Sequence, residues 1–191
     1  MRSKKLCNNA QELNNLNIAQ TVYEKVNSFN GINCILPNTE IIIVGTITPS
    51  GGNGYFYTAP RNRIYGYIDV ARGTKLKEKK EALQKTTDTK QRQLIIDDIK
   101  TELNNQKIAF LDVIDEAIRL KGSYADKDIK YYTLDYSTFS KIPQSVIKVI
   151  CNSKLAQDCY NEIRTKITNL PAAIYISQRN GKKDCWVNEL K

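Results

Sequence analysis

The stretch "IIIVGTITPSGGNGYFYTAPRNRIYGYID", residues 41–69, decides the fold. From Glu40 to Val44 the chain is a continuous apolar run of strand length built from branched side chains. A half-exposed strand would carry a polar residue at every second position, so this one is expected to be buried on both faces, inside a central sheet covered by helices. The chain then turns abruptly to glycine, proline, aromatic rings and arginine. A helical pattern resumes at "RNRIYGYIDVARG", with Ile64, Ile68 and Ala71 on one side and Gly73 placed to stop it.

Upstream, "AQELNNLNIAQTVYEKVNSF" (residues 10–29) spaces Leu13, Leu16, Ile18, Val22, Tyr23 and Val26 by about three and four, which predicts an amphipathic helix ended by "GINCILPN". Downstream, residues 75–107 hold the densest charge in the chain and space their apolar residues widely. Two exposed helices broken near Thr86 to Thr89 are expected there, as a charged insertion between sheet elements. "IAFLDVIDEAIRLKG" (108–122) opens as a strand and continues as a helix that Gly122 can end. "VIKVIC" and "AAIYIS" read as two further strands, separated by a helix through Leu155, Cys159, Ile163 and Ile167. Strands alternating with helices predict a three-layer α/β sandwich around a central, mostly parallel sheet of short strands.

At 191 residues the chain fits one domain, and its 41% hydrophobic and 26% charged residues are ordinary for a folded protein. Lys and Arg outnumber Asp and Glu by 29 to 20, a net charge of +9 that attracts polyanions such as nucleic acid, although a solvated basic surface gives the same sum. Five cysteines without a CxxC pair argue against a disulfide framework and for a reducing cytoplasm. The complete absence of histidine removes the commonest zinc ligand and the usual general base, so no metal is expected and any chemistry must run without imidazole. No apolar run reaches membrane-spanning length, and "MRSKKLCNNAQELNNL" lacks the apolar core of a signal peptide.

Ligands of open α/β sheets gather beyond the carboxyl ends of the strands, which singles out the loops after Val44, Leu111 and Ile176. The first is the richest. Gly45, Gly51, Gly52 and Gly54 let the backbone approach a ligand closely, while Pro49 and Pro60 stiffen the loop. Tyr55, Phe56 and Tyr57 offer flat rings, Arg61 and Arg63 offer guanidinium groups for phosphates, and the Asn62 amide both donates and accepts.

This string, "GTITP … YFYTAPRNRIY", resembles the first motif of the uracil-DNA glycosylase superfamily, in particular its mismatch-specific and hypoxanthine-DNA glycosylase-like branches. "IAFLDVIDEAIRLKGSYADKDI" (108–129) is similar to the family segment in which a strand leads to an Asp, a helix and a "GS … D … I" turn. "IYISQRNGKKDCW" (174–186) resembles the final motif, a Ser-rich loop followed by a Lys and a Trp. The resemblance reaches from about residue 40 to residue 187. It implies a single glycosylase-like domain over 1–191, and a monofunctional DNA glycosylase that hydrolyses the N-glycosidic bond of uracil or hypoxanthine in base-excision repair without a metal or cofactor. DNA would be the partner, the protein a monomer.

The roles that follow from the resemblance are definite. Asn62 and Thr48 would be catalytic, with Asn62 stationing the attacking water. Gly45, Thr46, Ile47, Phe56 and Tyr57 would hold the extruded base, Tyr57 by stacking. Arg61, Arg63, Ser177, Gln178, Arg179, Asn180 and Lys182 would contact DNA. The chain departs from the pattern at Thr48, where the branch has Asn, at Tyr65, where it has Trp, and in "SQRN", which lacks the histidine of the classical uracil enzymes.

Each of these residues also has a structural reading. Asn62 lies at a helix start, where Asn is a favoured cap; Asp112 ends a strand and could touch a ligand, but capping the helix expected after it is the reading preferred. Phe56 and Tyr57 could be core aromatics. Arg179, Lys182, Lys183 and the lysines of 75–92 could be solvated charge. Two other functions fit the same features: a nucleic-acid-binding protein of this fold without turnover, and an α/β enzyme acting on free nucleotides.

Overall fold

The computed structural model describes residues 5–7, 22–30, 35–48, 54–123, 125–178 and 181–191. Its centre is a four-stranded, wholly parallel sheet in the order β4-β3-β7-β8, formed by β3 (Ile41–Gly45), β4 (Ile108–Asp112), β7 (Lys148–Cys151) and β8 (Ala173–Tyr175). All five residues of β3 are buried. Because side chains alternate across a strand, Ile42 and Val44 enter one core while Ile41 and Ile43 enter the other. That is why the run is apolar without interruption.

Helices cover both faces. Against Ile41, Ile43, Phe110 and Ile150 lie α1 (Ile64–Arg72), α2 (Leu76–Lys85), α3 (Thr89–Asn105) and α6 (Lys183–Leu190). Tyr67 of α1 stacks on Trp186 of α6, ring centroids 6.0 Å apart. On the opposite face α5 (Lys154–Lys166) buries Ala156, Cys159, Tyr160 and Ile163 against Val44, Leu111 and Val149. Gly73 closes α1 in the left-handed conformation, and Ser153 caps α5 by accepting from Ala156 N–H.

A second sheet, in the order β1-β6-β5-β2, joins Lys5–Leu6 (β1), Tyr23–Asn27 (β2), Ile114–Leu120 (β5) and Ile129–Leu134 (β6), with the β2/β5 and β5/β6 pairs antiparallel. A four-residue helix, α4 (Tyr136–Phe139), follows β6. Two expectations are corrected here. Tyr23–Asn27 is an edge strand rather than part of a helix; only Val26 of it is buried, so its pattern carries almost no period-two signal. Residues 114–120 are a strand rather than a helix, and two register irregularities in its pairing with β6 break the alternation that would have revealed it. Gly122, at φ +71°, serves the turn after that strand.

The charged segment does form two helices, broken between Lys85 and Thr89. They are less exposed than their composition implies: Leu76, Leu83, Ile96, Ile99 and Leu103 enter the core, and so does Lys80. Among the described residues no helix is long and apolar enough to cross a membrane.

Candidate active site

The connection after β3 packs its helix on one face of the parallel sheet, and the connection after β7 packs α5 on the other. Between the carboxyl ends of these neighbouring strands a crevice must open. A cavity of about 830 Å³ sits there, lined by Gly45 to Thr48, Tyr57 to Asn62, Asp112, Asp126, Asn152, Ser153 and Gln178.

Asp112 forms its floor. One intervening residue, Val113, carries the chain from β4 into β5: its N–H donates to Gly45 O, Ile114 N–H to Thr46 O, and Asp135 N–H to Val113 O, each at 3.0 Å. This corner fixes the last residue of β4 beside Gly45. The Asp112 carboxyl is 1% exposed, and Oδ2 accepts from Thr48 N–H at 3.2 Å. Burial pushes its pKa up to about 7, with hydrogen bonds from Thr48 and Phe29 opposing the rise. At neutral pH this group stands near half protonation.

Tyr57 faces it. The residue adopts φ +55°, a conformation that bulky side chains avoid at a cost of about 1–3 kcal/mol, and its ring packs edge-on to Phe110 at 4.9 Å. The hydroxyl is buried and has no hydrogen-bond partner among the described residues. A β-carbon on Gly45 would lie 2.8 Å from that hydroxyl oxygen and 3.2 Å from Asp112 Oδ1, so glycine is the residue that lets the two groups converge.

Asn62 lines the same cavity, fixed at several points. Its Oδ1 accepts from Ile64 N–H at 3.0 Å, its own N–H donates to Ala59 O at 3.0 Å, and its carbonyl accepts from Lys80 Nζ at 2.7 Å. The Oδ1 contact closes a turn just ahead of α1, whose N-cap is Arg63 without a side-chain cap, so Asn62 is not the helix cap that its position suggested. Its side-chain NH₂ makes no hydrogen bond among the described residues.

Of the residues anticipated from sequence, Gly45, Thr46, Ile47, Thr48, Tyr57, Arg61, Asn62 and Gln178 surround one cavity. Thr46 is tied by its hydroxyl to Asp126 Oδ1 at 2.7 Å. Phe56 is a correction: it is 0% exposed and packs edge-on against Phe29 and Tyr55, so the strain at Tyr57 turns one ring to the cavity and leaves the other in the core. Arg63 and Lys182 are exposed and do not line the cavity. Ser177 borders an adjoining cleft, and its carbonyl accepts from Trp186 Nε1 at 3.1 Å. Arg179 and Asn180 lie outside the described residues.

Thr58, Ala59, Pro60, Asp126, Asn152 and Ser153 line it without having been expected there, and Asp112, read from sequence as a possible ligand contact but sooner a helix cap, lines it too. For Asp112 the signal was present, since a carboxylate at the end of a buried strand faces the ligand side of the sheet; the helix expected after it supplied a competing explanation. Asn152 and Ser153 follow β7, the one strand of the parallel sheet whose carboxyl-end loop was not considered.

No protein-family model and no curated protein matches the sequence. One solved structure does match: the solution structure of a "putative Uracil DNA glycosylase" from Methanosarcina acetivorans, at 18% identity and a TM-score of 0.53, over 82% of this chain and 91% of that one. Shared architecture at this identity is a statement about the fold alone: the parallel sheet and its helical layers follow the α/β plan of that structure.

Proposed function

We propose that the protein is a monofunctional DNA glycosylase that removes a deaminated base, uracil or hypoxanthine, from DNA. The observation that carries this reading is the convergence of Asn62, Tyr57 and Asp112 on one cavity at the carboxyl end of a glycosylase-like sheet. A base inside a duplex is out of reach of such a pocket, so the nucleotide must swing out of the stack to enter it. Arg61, exposed at the rim, is placed to hold a flanking phosphate, and the net charge of +9 favours the approach of the polyanion.

Within the cavity the roles follow from the donors and acceptors. The neutral carboxyl of Asp112 carries a proton it can donate, and its Oδ1 lies beside the gap between Gly45 and Tyr57. Deaminated bases present a carbonyl beside a ring N–H, and a neutral carboxyl can donate to that carbonyl. As the C1′–N bond breaks, its electron pair departs with the base. The negative charge collects partly on the same carbonyl, so the hydrogen bond from Asp112 strengthens in the transition state. The Tyr57 hydroxyl is a second donor in that place.

Water completes the reaction by adding to C1′, and the proton it loses is taken up in the end by the departed base anion. Asn62 and Thr48 station it; an amide is a poor proton acceptor, so Asn62 orients rather than deprotonates. Among the described residues that line the cavity there is no lysine, and in this reading water rather than an amine is the nucleophile, which leaves the backbone uncut. Oligonucleotides containing uracil or hypoxanthine, paired with each normal base or single-stranded, test this directly by the appearance of abasic sites. Binding that weakens steeply with salt but yields no product would instead select the binding-protein reading.

A further inference from the structure

We propose that Lys80, on the charged helix α2, is a positioning residue of the cavity, whose ammonium group pins the Pro60–Asn62 segment and thereby fixes Asn62. Lys80 is 5% exposed, in a helix where Lys77 and Lys85 face solvent and Lys79 pairs with Asp98 and Glu102. Its Nζ donates to Asn62 O at 2.7 Å and to Pro60 O at 3.2 Å, and it takes part in none of the ion pairs among the described residues. One turn further along the same face, Gln84 Nε2 donates to Thr58 O at 2.7 Å.

Three alternate carbonyls of the cavity wall, at 58, 60 and 62, are therefore held from behind by two side chains of one helix. The helix is itself locked to the next: Arg92 Nη1 of α3 donates to Leu83 O at 3.0 Å and to Thr86 O at 2.8 Å, closing the α2–α3 joint. With its carbonyl bound by Lys80, its N–H by Ala59 and its Oδ1 by Ile64, Asn62 has a single orientation, and the NH₂ group that is left lines the cavity.

A leucine or methionine at position 80 would fill the same core without the cost of desolvating an ammonium ion. Burial lowers the Lys80 pKa, as it must for a cation held by neutral carbonyls alone. The charge is explained by what it binds: an ionised donor makes shorter and stronger hydrogen bonds than a neutral one. The charged helices, which composition presents as an appendage, then serve as the back wall of the site.

The kinetic part of this proposal rests on the glycosylase reading; its structural part does not. Lys80→Met, Lys80→Arg and Gln84→Met are compared with wild type by amide hydrogen exchange and by single-turnover base excision. Lys80→Met is expected to speed exchange in residues 58–63 by about tenfold or more, as befits the loss of a charge-assisted bond, while β3 and β7 keep their wild-type protection. Its excision rate falls by a similar factor with affinity for abasic-site DNA within about twofold, and Lys80→Arg, which retains a donor cation, recovers most of the rate. Gln84→Met, which frees only Thr58 O, gives a smaller local effect and decides the matter if Lys80→Met does not fold. The proposal is overturned if exchange in 58–63 stays within twofold of wild type in both Met variants, or if it accelerates equally throughout the chain. Should wild type excise no base, the glycosylase reading fails and the exchange measurement still judges Lys80.

Discussion

The side-chain amide of Asn30 hydrogen-bonds both edges of the Asp112 backbone. Its Oδ1 accepts from Asp112 N–H at 2.8 Å, and its Nδ2 donates to Asp112 O at 2.7 Å and to Asp135 Oδ2 at 2.7 Å. Asn30 and Asp112 are 82 positions apart in sequence, and Asn30 is itself buried. The floor of the cavity is thus anchored from the second sheet's side of the molecule by one residue.

Replacing Asn30 with Ala strands the Asp112 backbone groups and an Asp135 oxygen without partners in a buried place. A loss of about 3 kcal/mol in urea unfolding is expected, since each orphaned buried group costs about 1–3 kcal/mol. Asn30→Asp, which puts a carboxylate against Asp135, should lose more at neutral pH than in mild acid. Equal losses at both would show that charge does not matter there.

Asp112 also governs how stability responds to pH. Its folded pKa of about 7 lies above the ordinary 3.8, so between those values the folded protein holds a proton that the unfolded chain has released. Below that window the group contributes nothing to the pH dependence. Stability falls as pH rises through it, by at most roughly 4 kcal/mol once pH exceeds 7. Asp112→Asn abolishes this slope, so thermal unfolding from pH 4 to pH 8 should show the variant gaining on wild type as pH rises.

Gly45 and Tyr57 are coupled. Gly45→Ala forces the new methyl against the Tyr57 hydroxyl and should cost about 1–3 kcal/mol, as overpacking does. Tyr57→Phe removes a buried hydroxyl that has no partner among the described residues and should raise stability by about 1 kcal/mol while weakening base excision. In the double variant the clash is relieved, giving a coupling energy of about 1 kcal/mol or more in a double-mutant cycle. Additive effects would mean that the two groups do not meet.

Much of this fold could be read from the chain because local signals agreed with tertiary ones. Ile41–Val44 could only be a doubly buried strand, and Gly73 could only end a helix it follows. What escaped notice depended on contacts distant in sequence. The strand Ile114–Leu120 is bulged, so its side chains lose the two-residue period; Tyr23–Asn27 is an edge strand with one buried residue. Lys80 looked like any other lysine of a solvated face, because the carbonyls that receive it belong to a loop 18 and 20 residues upstream. The cavity's first loop was legible as a motif and Asp112 as the end of a buried strand, whereas Asn30 became meaningful only once two sheets were brought together at Val113.

DNA binding should depend on salt through the basic rim. Arg61→Ala is expected to lower the slope of log affinity against log salt by about 1, the signature of one lost phosphate contact, and to weaken binding to all sequences alike. An unchanged slope would remove Arg61 from the DNA interface.

The central claim is that this cavity cleaves the bond between a deaminated base and its sugar, with Asn62 and neutral Asp112 as its working groups. The most direct test is single-turnover excision from uracil- and hypoxanthine-containing oligonucleotides by wild type, Asn62→Ala and Asp112→Asn between pH 5 and pH 9. Wild type should form abasic sites at a rate that declines as pH rises through about 7, where Asp112 gives up its proton. Asn62→Ala should be slower by about tenfold to a thousandfold with binding retained, and Asp112→Asn should lose the decline. Absence of product from wild type on every substrate at high enzyme concentration would contradict the account.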